Sequence, residues 1–236
     1  LIFFAVLEGL FILLRIRRSM ENEKRALELE KELSQSRISI MLSQIQPHFL
    51  YNSLVGIKQL CDTDPQRASD ALEHFSYYLR GNLDSLSNTG LIPFEKELDH
   101  IEDYLYLEKM RYGERLRIRW EIGYQDFMLP PLTLQPIVEN AVRYGITQKK
   151  AGGSLTIRSG QADGSVVITV VDDGVGFDIS EKKEDGRTHI GLENVRDRLD
   201  AMCGGRLEVK SEIGTGTEIK LILPQRRNRV NENYSG

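Results

Sequence analysis

The chain has 236 residues, room for one large domain or two modest ones at roughly 100–200 residues per domain. Its 31 Lys and Arg against 35 Asp and Glu leave a formal net charge of −4, so it lacks the basic field of a nucleic-acid binder. With 40% hydrophobic and 28% charged residues, wholesale disorder is excluded. Cys61 and Cys203, far apart and without CxxC or Cys/His spacing, speak against a structural zinc site or disulfide framework and place the soluble part in the cytosol.

Residues 1–14 (LIFFAVLEGLFILL) are almost wholly apolar, and Arg15, Arg17 and Arg18 follow at once. A bilayer takes roughly 20 apolar residues. Residues 1–18 are therefore expected to be the end of a transmembrane segment cut short, with the basic cluster keeping everything downstream in the cytoplasm. From 19 to 43 the chain is rich in Glu, Lys and Leu. Ala26, Leu29, Leu33, Ser36 and Ile40 alternate steps of three and four, which fits a helical connector between two subunits or a single solvated helix.

A helix is expected over 45–60, ending at Asp62-Thr63-Asp64-Pro65, a turn with helix-start chemistry. A second is expected over 66–86, with Ala68, Ala71, Leu72, Phe75, Tyr78 and Leu79 on one stripe. Such a hairpin is too small to bury its own apolar face, so pairing with a second copy into a four-helix bundle is expected. Residues 85–90 read as a linker. Beyond it come a helix from Pro93-Phe94-Glu95 to about 111 and strand 116–122. A helix over 132–144 and strands 155–159 and 166–172 follow. A polar stretch (180–188), helix 192–202 and strands 206–211 and 217–223 complete the pattern, and 225–236 is a polar tail. Helices and antiparallel hairpins in this order predict an α+β chain whose second part is a two-layer α/β sandwich.

Three short motifs carry chemistry. In Glu139-Asn140-Ala141-Val142-Arg143-Tyr144-Gly145, Asn140 offers a neutral carbonyl oxygen suited to a magnesium ion that keeps most of its waters. In Asp172-Asp173-Gly174-Val175-Gly176, after the strand VVITVV, glycines permit close backbone approach and a buried carboxylate can accept from an exocyclic amine. In Gly214-Thr215-Gly216-Thr217, free backbone N–H groups and hydroxyls are expected to meet phosphate oxygens. A Walker-type phosphate loop, G-x-x-x-x-G-K-[ST], does not occur.

Together, in this order, the motifs resemble the ATP-binding domain of the GHKL superfamily. That resemblance implies that Asn140 binds Mg2+ and Asp172 reads the adenine amine. Gly174, Gly176, Gly214, Thr215, Gly216 and Thr217 would then line an ATP pocket, with Arg143 beside them. Gly191-Leu192 before Glu193-Asn194-Val195-Arg196 looks like the second glycine box, and 185–188 like a mobile lid. Upstream, Gln46-Pro47-His48-Phe49-Leu50-Tyr51-Asn52 closely resembles the phosphoacceptor motif of LytS/YesM-type sensor histidine kinases. The resemblance spans 48–223 and implies a homodimer, with a dimerisation and phosphotransfer domain (44–90) and a catalytic ATP-binding domain (91–224). His48 would be phosphorylated from ATP and pass the group to a response regulator.

An imidazole, with an ordinary pKa of about 6.5, is mostly neutral at pH 7 and can attack a γ-phosphate without a strong base. Asn52, four residues on, shares the His48 helix face and can orient the ring or a water. Glu139, adjoining Asn140, completes the catalytic set with His48 and Asn52. His74 and His100 read as satisfied or solvated helix residues. The chain departs from the pattern at Tyr144, where the family usually has His, and at His189, where the second glycine box usually begins with Gly. Two rival readings stay open: a degenerate nucleotide-binding scaffold, and a GHKL ATPase or serine kinase, against which the upstream histidine motif argues.

Overall fold

The computed structural model describes residues 47–87, 90–178 and 187–224, together with positions 15, 17, 18, 20, 21, 24, 25, 27 and 28; side chains 86, 87 and 187–190 lie outside the description. The apolar run 1–14, the heptad positions 26, 29, 33, 36 and 40, the core of the lid stretch and the tail 225–236 lie outside it too. The chain divides into two compact units, 1–50 and 51–236. In the first, the described positions from 15 to 28 are helical, with i,i+4 pairs Arg17–Glu21 and Lys24–Glu28. Among the described residues no helix is long and apolar enough to cross a membrane.

Helix α1 (Pro47–Thr63) starts with proline, whose missing N–H is unneeded in a first turn. Helix α2 (Pro65–Ser87) follows after Asp64 alone, whose carboxylate accepts the Arg67 N–H at 3.2 Å and so caps it. On α2 the buried stripe is Ala68, Ala71, Phe75, Tyr78 and Asn82. Leu72, predicted on that stripe, is instead 51% exposed, because the seam that packs is rotated toward the 71-75-78-82 row.

Strand β1 (Ile92–Pro93) leads into helix α3 (Phe94–Tyr112) and pairs antiparallel with β3 (Met128–Leu129), a short pair the periodicity did not reveal. Helix α3 buries Phe94, Leu98, Ile101, Tyr104, Leu105 and Leu107, and also the polar Glu97, His100 and Glu108. That near-continuous burial reflects its place between α2 and the elements of the sheet domain.

The sheet runs β2 (Leu116–Ile122), β4 (Gly153–Ala162), β5 (Ser165–Asp172), β7 (Gly216–Pro224) and β6 (Arg206–Glu212), in that spatial order. The pairings are antiparallel except β2 with β4, which is parallel. The parallel step falls where the sequence predicts a helix between two strands: a crossover through helix α4 (Gln135–Asn140) joins them. Helix α4 is shorter than the 132–144 expected. Pro130, Pro131 and a left-handed Leu132 (φ 56°) hold the chain out of helix before Gln135. Past Asn140 the coil widens to a π turn, Ala141–Gly145, where the Ile146 N–H reaches back to Ala141 O. Helix α5 (Arg187–Cys203) packs Leu192, Val195 and Leu199 into the core, extending five residues further back than the pattern suggested.

Period-two alternation along β5 buries Val166, Ile168 and Val170. The same alternation carries one carboxylate inward at the strand's end. Asp172 is only 5% exposed.

Candidate functional site

Asp172 sits where β5 ends, and its Oδ1 accepts the Gly174 N–H at 2.9 Å. Burial pushes its pKa up to about 6, the Gly174 N–H pulls it back, and neighbouring Asp173 adds to the rise. Gly145, at the end of the π turn, lies directly against it: a Cβ there would be 2.6 Å from Asp172 Oδ1. A Cβ on Gly174 would lie 2.3 Å from the Gly145 carbonyl carbon. Neither position admits a side chain. The Val175 N–H closes the contact by donating to Gly145 O at 3.2 Å. The DDGVG loop is therefore no hairpin turn but a backbone shelf fitted onto the end of the Asn140 segment. Asp173 faces outward from it, accepting the Ser154 N–H at 2.6 Å, with Arg117 3.9 Å away.

Asn140 ends α4, and its amide Nδ2 lies 3.6 Å from where a Gly191 Cβ would stand on α5. The second glycine box thus abuts the Asn140 side chain, and Leu192 beside it is buried. Arg143 stacks its guanidinium over Tyr144, 5.0 Å from the ring centre, and Tyr144 is 39% exposed. His189 lies among the residues whose side chains are outside the description.

The 214–217 segment corrects one expectation. Its first two N–H groups are not free for phosphate: Gly214 donates to Val175 O at 2.7 Å and Thr215 to Glu212 O at 3.1 Å. They brace the turn against the DDGVG loop. Thr217 Oγ1 is shared with Ser211 Oγ at 2.9 Å, and Thr217 stands opposite Asp172 in the β5–β7 register. Gly216 (φ 123°) passes so close to Asp172 O that a Cβ would sit 2.0 Å away.

Glu139 is 8% exposed and belongs to a buried polar network that pattern reading missed. Gln135 Nε2 donates to Glu139 Oε1 (2.7 Å) and Asn82 Oδ1 (3.2 Å), with the Tyr78 hydroxyl at 3.4 Å. The Tyr78 hydroxyl in turn donates to Glu139 at 3.3 Å. With the amide nitrogen so engaged, Gln135 Oε1 is the acceptor for His100 Nε2 at 2.7 Å. That puts a proton on Nε2 of His100; burial lowers the pKa and favours the neutral ring, whose buried Nδ1 has no partner among the described residues, so His100 is not the fully satisfied residue expected. Nearby Glu108 is pushed up to about 7 by burial, against the pull of Arg111 and with Glu139 adding to the rise. The single available signal was the Gln135/Glu139 i,i+4 spacing. His74 is satisfied as expected, 2.7 Å from Asp103 and stacked on Tyr106.

His48 is exposed in the first turn of α1, and Asn52 follows one turn later on the same helix. They fall on either side of the division between the two units, and each is described within its own. Among the described residues no group of three or more His, Cys, Asp or Glu could hold a metal. A lone amide oxygen such as that of Asn140 suits a magnesium ion whose other ligands are water and phosphate.

A mixed five-stranded sheet packed against helices thus carries a buried carboxylate and an asparagine on adjoining glycine backbone. Residues 131–227 match the family described as histidine kinase-, DNA gyrase B- and HSP90-like ATPase, and residues 36–116 match the histidine kinase family. The chain belongs to the sensor histidine kinases of the LytS/YesM type. It is 35% identical over 199 residues to a putative uncharacterized protein, YwpD, of Bacillus subtilis, covering 81% of this chain and 71% of that one. It is 32% identical over 212 residues to the sensor protein LytS of Bacillus anthracis, covering 84% of this chain and 36% of LytS. With the sensor histidine kinase YesM of Bacillus subtilis it shares 31% over 216 residues, 89% of this chain and 37% of YesM. It therefore spans little more than a third of the length of LytS and YesM.

Proposed function

We propose that the chain is the kinase core of a membrane-anchored, homodimeric two-component sensor kinase that phosphorylates His48 from Mg-ATP and passes the phosphoryl group to a response-regulator aspartate. The observation that carries this reading is the convergence of the Asn140 and Asp172 segments on Gly145, with Gly191 against the Asn140 amide. Membership of the histidine kinase and ATPase families supports it independently.

In this reading Asp172, held by Gly174 and kept from water, accepts the adenine amine. Gly174, Gly176, Gly191, Leu192, Gly214, Thr215, Gly216 and Thr217 shape the pocket wall, and Arg143 adds positive charge near Asn140. Asn140 holds Mg2+, which when bound would neutralise phosphate charge. Glu139 serves as the carboxylate adjoining it. A ring nitrogen of His48 attacks the γ-phosphorus as the bond from that phosphorus to the bridging oxygen of ADP breaks, and ADP departs. Catalysis is then mostly positioning and charge neutralisation. Asn52 orients the His48 ring. Residues 1–18 anchor the chain in the membrane, 19–43 connect, 44–90 dimerise and carry His48, and 91–224 bind ATP in the cytoplasm.

The test is to incubate the chain with γ-labelled ATP. Label is expected to survive alkali and be lost in mild acid, because protonating a phosphoramidate nitrogen makes it a good leaving group. His48→Gln is expected to abolish labelling while nucleotide binding persists. Label that resists acid, or stays on the His48→Gln variant, sinks the histidine kinase reading and revives the serine kinase one.

A further inference from the structure

Leu132 is one of two non-glycine residues among those described with positive φ, at 56°. Such a backbone costs energy for a γ-branched side chain and persists only where its surroundings over-determine it. Both of its peptide groups are held by side chains from elsewhere. Glu97 on α3, 2% exposed, accepts the Leu132 N–H on Oε1 at 2.5 Å; its Oε2 accepts the Thr133 and Leu134 N–H groups at 3.1 and 2.9 Å. Arg198 on α5 donates from Nη1 to Pro131 O at 2.7 Å and to Leu132 O at 2.9 Å. Burial pushes the Glu97 pKa up, while the three N–H bonds and the Arg198 charge pull it back.

What this strained corner holds in place is the Asn140 helix. Leu134 accepts the first helical bonds, from the Ile137 and Val138 N–H groups, both at 3.0 Å. On α5, Gly191 and Arg198 are seven residues apart, which at 3.6 residues per turn puts them on one face. One helix face therefore runs along the 131–140 segment, bonded to it by Arg198 at Pro131 and Leu132 and leaving room for little more than a methyl group between Gly191 and the Asn140 amide. The Arg198 bonds fix where this face of α5 lies against the segment that leads into Asn140.

We propose that Glu97 and Arg198 are positioning residues for the reaction: by locking Leu132 between them they set the Asn140 amide against Gly191 and so determine the magnesium-dependent part of nucleotide binding. This rests on the reading of Asn140 as the metal ligand. Residues that orient a metal ligand typically contribute about 10–100-fold to metal affinity. Neither side chain need touch the nucleotide to have this effect.

The experiment measures ADP affinity of the whole chain in Mg2+ and in EDTA. Arg198→Met keeps the apolar stem but loses both carbonyl bonds. It is expected to cut the Mg2+/EDTA affinity ratio by about tenfold while EDTA affinity moves less than about twofold. Adding Leu132→Gly, which adopts positive φ without strain, is expected to restore part of the ratio. Should Arg198→Met fail to fold, Arg198→Lys retains the charge but has no planar fork, and is expected to lower the ratio partially. An unchanged ratio in a folded Arg198 variant, or equal losses in Mg2+ and EDTA, overturns the proposal. Asn140→Ala separates the two readings. If it leaves the ratio intact, the metal assignment is what fails; if it abolishes the ratio and the Arg198 variants do not lower it, the positioning role fails.

Discussion

The helical hairpin and the sheet domain apply the same hydrophobic periodicity with opposite results. Along β5 the inward row of Val166, Ile168, Val170 and Asp172 is at most 5% exposed, because the covering helices supply a complete second layer. On the hairpin one stripe of α2 is buried as well, at most 8% exposed, yet Tyr51 and Leu54 on α1 are 69% and 50% exposed and Leu72 on α2 is 51% exposed. Each helix of the hairpin carries apolar residues beyond the stripe that packs, and those residues stay uncovered. The sheet domain closes its own core, whereas on the hairpin a second copy would cover these residues in the proposed homodimer.

The most damaging way to break that contrast is to charge the uncovered face. In the proposed homodimer, Leu54→Glu with Leu72→Glu would remove two leucines per subunit from the interface, each contributing about 1.5–3 kcal/mol when buried. Dimer affinity is expected to fall by more than about a thousandfold in sedimentation, while ADP still binds. A dimer of unchanged affinity would place the subunit contact elsewhere.

Within the sheet domain, Asp172→Asn sharpens what full burial costs. Loss of the charged acceptor is expected to weaken ATP and ADP alike by about 1–3 kcal/mol, measured by calorimetry. Affinity in the parent is expected to drop as pH falls through about 6, where the carboxylate takes up a proton. Stability without ligand has the opposite slope. Because the folded pKa of about 6 stands above the ordinary 3.8, the contribution from this group is full below 3.8 and lost as pH rises through about 6. At pH 8 the ligand-free Asn variant is expected to be more stable than the parent, by up to about 3 kcal/mol. A variant that gained no stability at pH 8 would contradict the cause given for the shift.

A smaller effect tests where the two regions join. Tyr78→Phe removes the hydroxyl between Gln135 and Glu139 and is expected to lower stability to denaturant by about 1–2 kcal/mol. No change would mean the α2–α4 contact is held by packing alone. Smallest of all, Ile213→Ser alters an apolar residue that is 71% exposed in the turn before β7. Its stability is expected to stay within about 0.5 kcal/mol of the parent.

Parts of the fold around the candidate site are legible in particular residues. VVITVV followed by an aspartate spells a strand that ends at Asp172, but five of its six residues are apolar, so alternation by itself does not say which face the carboxylate takes. Asp64-Pro65 spells a cap and a first helical residue, and α2 starts there. In the 214–217 segment the Gly214 and Thr215 N–H groups are engaged rather than free, because their partners depend on which loop lies alongside, and no local pattern carries that.

What the sequence determined by itself was local: which stretches are strands and which are helices, most of the α2 stripe, and the types of residue at the asparagine and DDGVG motifs. The tertiary structure alone decided whatever depends on separations of tens of residues. It brought β4 parallel to β2, seated Gly174 on Gly145, and joined Tyr78 of the hairpin to Glu139. It also set Glu97 and Arg198, a hundred positions apart in the chain, on the two sides of Leu132. Backbone preference is local, so it is written where it acts. A buried carboxylate or guanidinium takes its meaning from the peptide groups that reach it, and only the folded chain brings them there.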